Sequence, residues 1–271
     1  MRNVLGIFCF LLPALALADK PRFDDTFSFA VGGMLHEADA KFSSTKEGAL
    51  IDKLSLKDLG IDDDTAVIWV DFDWQFRERW RFNLSYSSFD AHGFRSESNS
   101  GNFDDLDWEV GTSLTSGFDM RLFIVDVNWD FLKTDNAYIG LGVGLHVAEL
   151  EFDLLAQASG SIGGSGGTVV IGTETGDITA PLPNVNLIAG MMIGENVYLN
   201  ATVGYFTLEY DDYDGEVISF RAAAEWRPRR RFGIGVGYQH VAIHVDVKKT
   251  KKTERYDLDL YGPVLFLSVG F

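Results

Sequence analysis

Cysteine is nearly absent from this chain: the single example, Cys9, lies inside an apolar segment at the amino terminus. Residues 1–18 read as a signal peptide, with Arg2 as the basic start, an apolar stretch over 4–15 and the small-residue cleavage pattern Ala16-Leu17-Ala18. The stretch is too short to cross a bilayer as a helix, and its flanks are those of a removed export signal. A mature chain of 19–271 then holds no cysteine, which excludes disulfides, a thiol nucleophile and a thiolate metal site. Cys9 is not at the cleavage end, so a lipid anchor is not expected. Basic residues are also scarce. Without Arg2, 22 of the 23 Lys and Arg remain against 40 Asp and Glu, which argues against a nucleic-acid partner because phosphate binding needs a basic surface. Long apolar runs are missing as well: none of 18 residues follows the signal, which excludes a helical membrane protein. About 250 residues suffice for one barrel or two small domains. The choice left is a soluble exported β protein or a membrane barrel.

What the chain does have is alternation. Ten strand-like segments fall near 26–43, 65–76, 80–95, 115–132, 138–154, 184–193, 197–210, 216–226, 232–247 and 255–271. Their connections alternate in length. Arg77-Glu-Arg79, Lys133-Thr-Asp-Asn-Ala137, Gly194-Glu-Asn196 and Arg227-Pro-Arg-Arg-Arg231 are tight turns, whereas 45–64, 96–114 and 155–183 are long links. The links 211–215 and 248–254 are shorter. Short turns at one end and longer loops at the other are the pattern of a transmembrane β-barrel. The predicted fold is all-β: an antiparallel up-and-down barrel over 19–271, of ten strands with eight or twelve as alternatives.

The strand faces support this. On the second segment Ala66, Ile68, Val70, Phe72, Trp74 and Phe76 oppose Asp71, Asp73 and Gln75, although Val67 and Trp69 blur the polar face. Phe123, Val125, Val127, Trp129 and Phe131 oppose Asp126, Asn128 and Asp130, and Trp226 opposes Glu225. Apolar outside and polar inside fits lipid, while a soluble barrel would be the reverse. Four tryptophans decide between the two: Trp74, Trp80, Trp129 and Trp226 all lie within about four residues of a tight turn, on the apolar face, as a membrane-interface girdle requires. Gly140, Gly142 and Gly144 alternate with large residues and either make room for charged side chains inside or relieve strand curvature. The acidic runs Asp62-Asp-Asp64 and Glu209-Tyr-Asp-Asp-Tyr-Asp214 read as solvated loops. Gly163-Gly-Ser-Gly-Gly167 marks a flexible link, and 47–61 reads as a short helix or a strand extension.

The last eleven residues, 261–271, alternate and stop on an aromatic, with Leu265, Leu267, Val269 and Phe271 on one face. This strand, the girdle and the export signal together resemble small outer-membrane β-barrel proteins of Gram-negative bacteria, the broad OmpA-like and OmpW-like type. The ten-strand count differs from the eight of those archetypes. The resemblance implies a place in the cell outer membrane, contact with its lipids and lipopolysaccharide, and a terminal strand read by the outer-membrane assembly machinery.

Asp71, Asp73, Arg81, Asp126, Asp130, Arg221 and Glu225 are predicted to form a charge network in the lumen, either as a salt-bridged filling or as a polar conduit. The expected function is therefore structural or that of a narrow passive conduit for small solutes. The alternative is a membrane-embedded hydrolase or lipid-modifying enzyme, since Asp90-Ala-His92 and His244-Val-Asp246 each set acid and imidazole on one strand face. Ten-stranded proteases of the omptin family use such pairs near the outer rim, but their motifs are not recognisable here, and both pairs share parity with lipid-facing residues. His36, His146 and His240 read as plain strand residues. No catalytic residue, metal or cofactor is expected.

Overall fold

A computed structural model describes residues 25–46, 49–55, 64–96, 101–103, 106–108, 112–162, 165–210, 213–229, 231–249 and 252–271. The signal-peptide reading over 1–18 lies outside these residues. Ten strands close into an antiparallel barrel: β1 (Phe27–Lys46), β3 (Asp64–Arg77), β4 (Trp80–Ser96), β7 (Thr112–Lys133), β8 (Ala137–Ile162), β9 (Ser165–Ile193), β10 (Val197–Tyr210), β11 (Tyr213–Arg229), β12 (Phe232–Lys249) and β13 (Lys252–Gly270). Three short strands lie in the links. β2 (Ala49–Ser55) pairs with the outer end of β1, and β5 (Gly101–Phe103) pairs with β6 (Leu106–Trp108). The terminal strand closes the sheet against β1, with Val31 opposite Leu267 and Phe29 opposite Val269.

Local chemistry sets the tight turns. Thr134 Oγ1 accepts hydrogen bonds from the amides of Asn136 at 3.4 Å and Ala137 at 3.0 Å. Gly194, at φ 62°, occupies the left-handed region where a side chain would be strained. Two elements differ from the sequence expectation. The 155–183 link is largely strand, since β8 and β9 pair as far as Ile162 opposite Ser165. Its threonines and valines sustain the two paired strands. The turn expected at 227–231 starts later, because β11 continues to Arg229 and Arg227 points inward.

The wall is not continuous over its full height. β3 and β4 pair from Arg77 opposite Trp80 outward to Trp69 opposite Ser87, and β9 and β10 pair outward to Val185 opposite Tyr205. Beyond these points no ladder joins either pair among the described residues. Asp90 lies beyond the β3–β4 ladder and is paired on its other side with Asp119 of β7. The outer part therefore splits into two walls: β4, β7, β8 and β9 on one side, and β10 to β13 with β1, β2 and β3 on the other. Unpaired strand edges cannot lie in hydrocarbon. The bilayer must end at or below these two forks.

Side-chain polarity inverts at the same level. On β7 the outward residues run Phe131, Trp129, Val127, Val125 and Phe123, then change to Arg121 and Asp119. Its inward residues run Asp130, Asn128 and Asp126, then change to Leu122, Met120 and Phe118, all buried. The apolar outward band on β7 covers 123–131, nine residues. At about 3.3 Å per residue and a tilt of about 40°, nine residues span roughly 23 Å, close to the apolar band of roughly 25 Å of such barrels. Outside the bilayer the two walls behave as a soluble β-sandwich. Phe89, Phe118, Met120 and Leu122 of one wall and Met34, Val217, Ile243 and Leu260 of the other belong to one buried cluster. Each such side chain contributes about 1.5–3 kcal/mol by leaving water. The expectation of a polar interior therefore holds only for the membrane half. Val67 and Trp69, which blurred the pattern of β3, lie where the inversion occurs, with Trp69 packed 5.5 Å from Phe266.

Candidate functional site

The membrane half of the lumen is the candidate site, and strand parity delivers its side chains. Asp71 and Asp73 from β3, Asn83 from β4 and Arg221 from β11 meet across the interior. Arg221 Nη1 donates to Asp71 Oδ2 at 2.6 Å, and Asn83 Nδ2 lies 3.2 Å from both Asp71 oxygens and from Asp73 Oδ1. Arg81 Nε donates to Asp130 at 2.9 Å, and its guanidinium lies 3.9 Å from the Tyr138 ring centre. Tyr138 and Tyr198 share a hydroxyl hydrogen bond of 2.7 Å and cluster with Ile188.

Glu225 does not join Arg221, as the sequence had suggested. It pairs with Arg227 and accepts from Ser268 Oγ at 2.5 Å. Arg227 also holds Asp25 at 2.6 Å, so the start of the described chain is tied to β11 at the turn end of the barrel. Sequence reasoning missed Arg227 and Asp25. Arg227 sits in a run that reads as a basic turn, and Asp25 precedes the first strand.

The glycines of β8 make this filling possible. At Gly142 a Cβ would overlap the Asn128 carboxamide, and at Gly144 it would overlap Asp126 and Asn184. The side chains of Asp126 and Asn128 thus lie flat over the glycines of the neighbouring strand. Room for polar side chains is the reading that the geometry supports. Asn186 Nδ2 donates to Asp126 at 2.6 Å, and Asn184 Nδ2 to Asn186 Oδ1 at 2.7 Å. Among the described residues one cavity of about 60 Å³ lies between Asp71, Asp126 and Arg221, and another of about 20 Å³ lies beside His146 and Gln239. His146 is buried in the lumen, and is not a plain wall residue.

The outward acid and imidazole groups are placed differently. His92 Nε2 lies 3.2 Å from Asp90, with both side chains about 70% exposed (74% and 69%). His244 pairs with Asp257 at 3.0 Å rather than with Asp246, and His240 lies 3.4 Å from Asp259. Asp246 instead takes two hydrogen bonds from Arg255, both 2.7 Å, which hold its carboxyl below the usual carboxylate range. The side chain of His36 lies outside the described residues. Among the described residues no group of three or more His, Cys, Asp or Glu is placed to hold a metal.

Trp74, Trp80, Trp129 and Trp226 all face outward at the turn end, each 40% or more exposed. They continue into a belt of rings, with Phe27 to Trp74 at 6.0 Å and Phe76 to Trp80 at 6.4 Å. At the other edge of the band Tyr86 and Phe123 are 4.8 Å apart. Leu265, Leu267, Val269 and Phe271 face outward on the last strand.

A closed barrel that is apolar outside and polar inside over its membrane half, with a belt of aromatics at the turn end, is an integral outer-membrane β-barrel, the class of Gram-negative envelope proteins. No family model matches the chain, and no curated protein does. Among solved structures, the outer-membrane protease OmpT from Escherichia coli superposes with a TM-score of 0.61 at 11% identity, covering 93% of this chain and 98% of that one. The toluene transporter TodX from Pseudomonas putida matches at a TM-score of 0.35 and 11% identity, over 91% of this chain and 90% of that one. OprG from Pseudomonas aeruginosa matches at 0.35 and 12%, over 91% and 98%. At such identities the likeness to OmpT establishes the ten-stranded fold and not the chemistry.

Proposed function

We propose that this protein is a non-conducting structural barrel, a rigid membrane support for the two-walled extension beyond the bilayer. One observation carries the reading: among the described residues, side chains fill the lumen at the turn end, in the middle and in the outer half. Arg227 with Asp25 and Glu225 fills the turn end, the Asp71 and Arg221 network fills the middle, and the apolar cluster fills the outer half. A cavity of about 60 Å³ holds a couple of water molecules, not a solute path. In planar bilayers the purified protein is expected to leave the baseline conductance unchanged at moderate voltage. Reproducible unitary steps would replace this reading with that of a passive conduit.

The placement of acid and imidazole groups favours a protein without enzymatic activity. The three His and Asp pairs point away from the lumen on exposed wall, and the buried carboxylates are enclosed away from substrate. The partners that fit are outer-membrane lipid and lipopolysaccharide against the apolar band, and the assembly machinery at the terminal strand. Deleting Phe271 is expected to reduce the heat-modifiable, membrane-inserted form at least several-fold in cells. Unchanged insertion would remove the targeting role from this residue.

A further inference from the structure

We propose that the lumen binds one small monovalent cation, of the sodium type, between Asp126, Asn184 and Gln239. These residues come from β7, β9 and β12 and border the cavity of about 20 Å³, the size for a single water or ion. Asp126 is only 4% exposed, and the donor bonded to it is the neutral amide of Asn186. Arg221 lines the same cavity and its charge reaches Asp126, but its Nη1 is committed to Asp71 at 2.6 Å and its Nη2 to the Asn83 carbonyl at 3.4 Å. One guanidinium shared by these two buried carboxylates leaves one negative charge to be balanced.

The neighbouring acceptors point to what supplies it. Asn184 and Gln239 are 2% and 4% exposed, and their side-chain oxygens receive no hydrogen bond from the protein. The amide of Asn184 cannot be reversed to relieve this, because its Nδ2 already donates to Asn186 Oδ1. Asp126 Oδ1, which accepts only from the Asn186 amide, and Asn184 Oδ1, which accepts from no protein donor, converge above Gly144. His146 Nδ1, also without a partner, borders the same cavity. A water would serve the amide oxygens and leave the charge. A cation answers both, and hard oxygen donors suit an alkali ion. One carboxylate, with Arg221 also bordering the cavity, limits the site to a single positive charge.

The test is thermal unfolding of the folded protein in detergent at fixed pH, in sodium chloride against choline chloride of equal ionic strength. Sodium is expected to raise the midpoint by several degrees in the wild type, since an ion bound only by the folded state stabilises it by mass action. Gln239→Leu is expected to abolish the shift, and Asp126→Asn does the same if it folds. Equal midpoints in both salts overturn the proposal. So does a midpoint that follows pH in choline and ignores sodium, which would assign the compensation to a proton. Crystals soaked in rubidium chloride give an independent reading: an anomalous peak between Asp126 and Gln239 supports the site, and ordinary water density there overturns it.

Discussion

Replacing Arg221 with methionine is expected to cost about 3–5 kcal/mol of folding stability, the usual penalty for stripping one partner from a buried ion pair. Asp71, itself buried, would keep the Asn83 amide and lose the guanidinium 2.6 Å away. The Arg221 side chain is 23% exposed and that of Asp71 11%, so the pair lies largely out of water. Urea unfolding in lipid vesicles measures the loss. The double variant R221M with Asp71→Asn supplies the control: with no charge left unpaired it should recover half or more of the loss. If R221M alone stays within about 0.5 kcal/mol of wild type, the network carries no stability, as many exposed pairs do not.

Gly144→Leu should be the more damaging change. A Cβ at this position overlaps Asp126 and Asn184, so the leucine has no space in the lumen and drives polar groups out of their hydrogen bonds. Overpacking of this kind costs about 3 kcal/mol before the lost hydrogen bonds are counted. Little heat-modifiable protein is expected in membranes. Gly33→Leu is the matched comparison. Gly33 faces outward on β1, nothing lies within 4 Å of its added Cβ, and the new side chain has open space. Its stability should remain within about 0.5 kcal/mol of wild type. Equal damage at both positions would mean that β8 and β1 resist any side chain in place of glycine, and the steric account of Gly144 would fail.

Much of the barrel was legible because membrane strands carry two local signals at once. Period two sorts Phe123, Val125 and Val127 from Asp126 and Asn128 without any knowledge of partners. Tight turns and the tryptophans beside them then say which face meets lipid. The outer half was misread for a physical reason. Beyond the forks at Val185 and Ser87 the solvent on the outside is water, so the same alternation carries the opposite meaning. Phe89 and Phe118 point inward there and Asp90 and Asp119 outward, and only the depth of each residue distinguishes the two cases.

The candidate site was legible as a set of residues and not as a set of bonds. Asp71, Asp126 and Arg221 are recognisable as inward-facing from neighbours one residue away. That Arg221 meets Asp71, 150 positions earlier, depends on how strands tilt and register when the barrel closes. The same holds for Arg227, which reaches Asp25 across 202 positions and was hidden in a basic turn. Alternation, turns and the terminal strand are properties of a strand and its immediate solvent, so the sequence by itself determined the fold class and the lipid-facing side. The pairing of charges, the split into two walls and the oxygens gathered around Asp126 follow from contacts between distant strands, and the tertiary structure alone decided them.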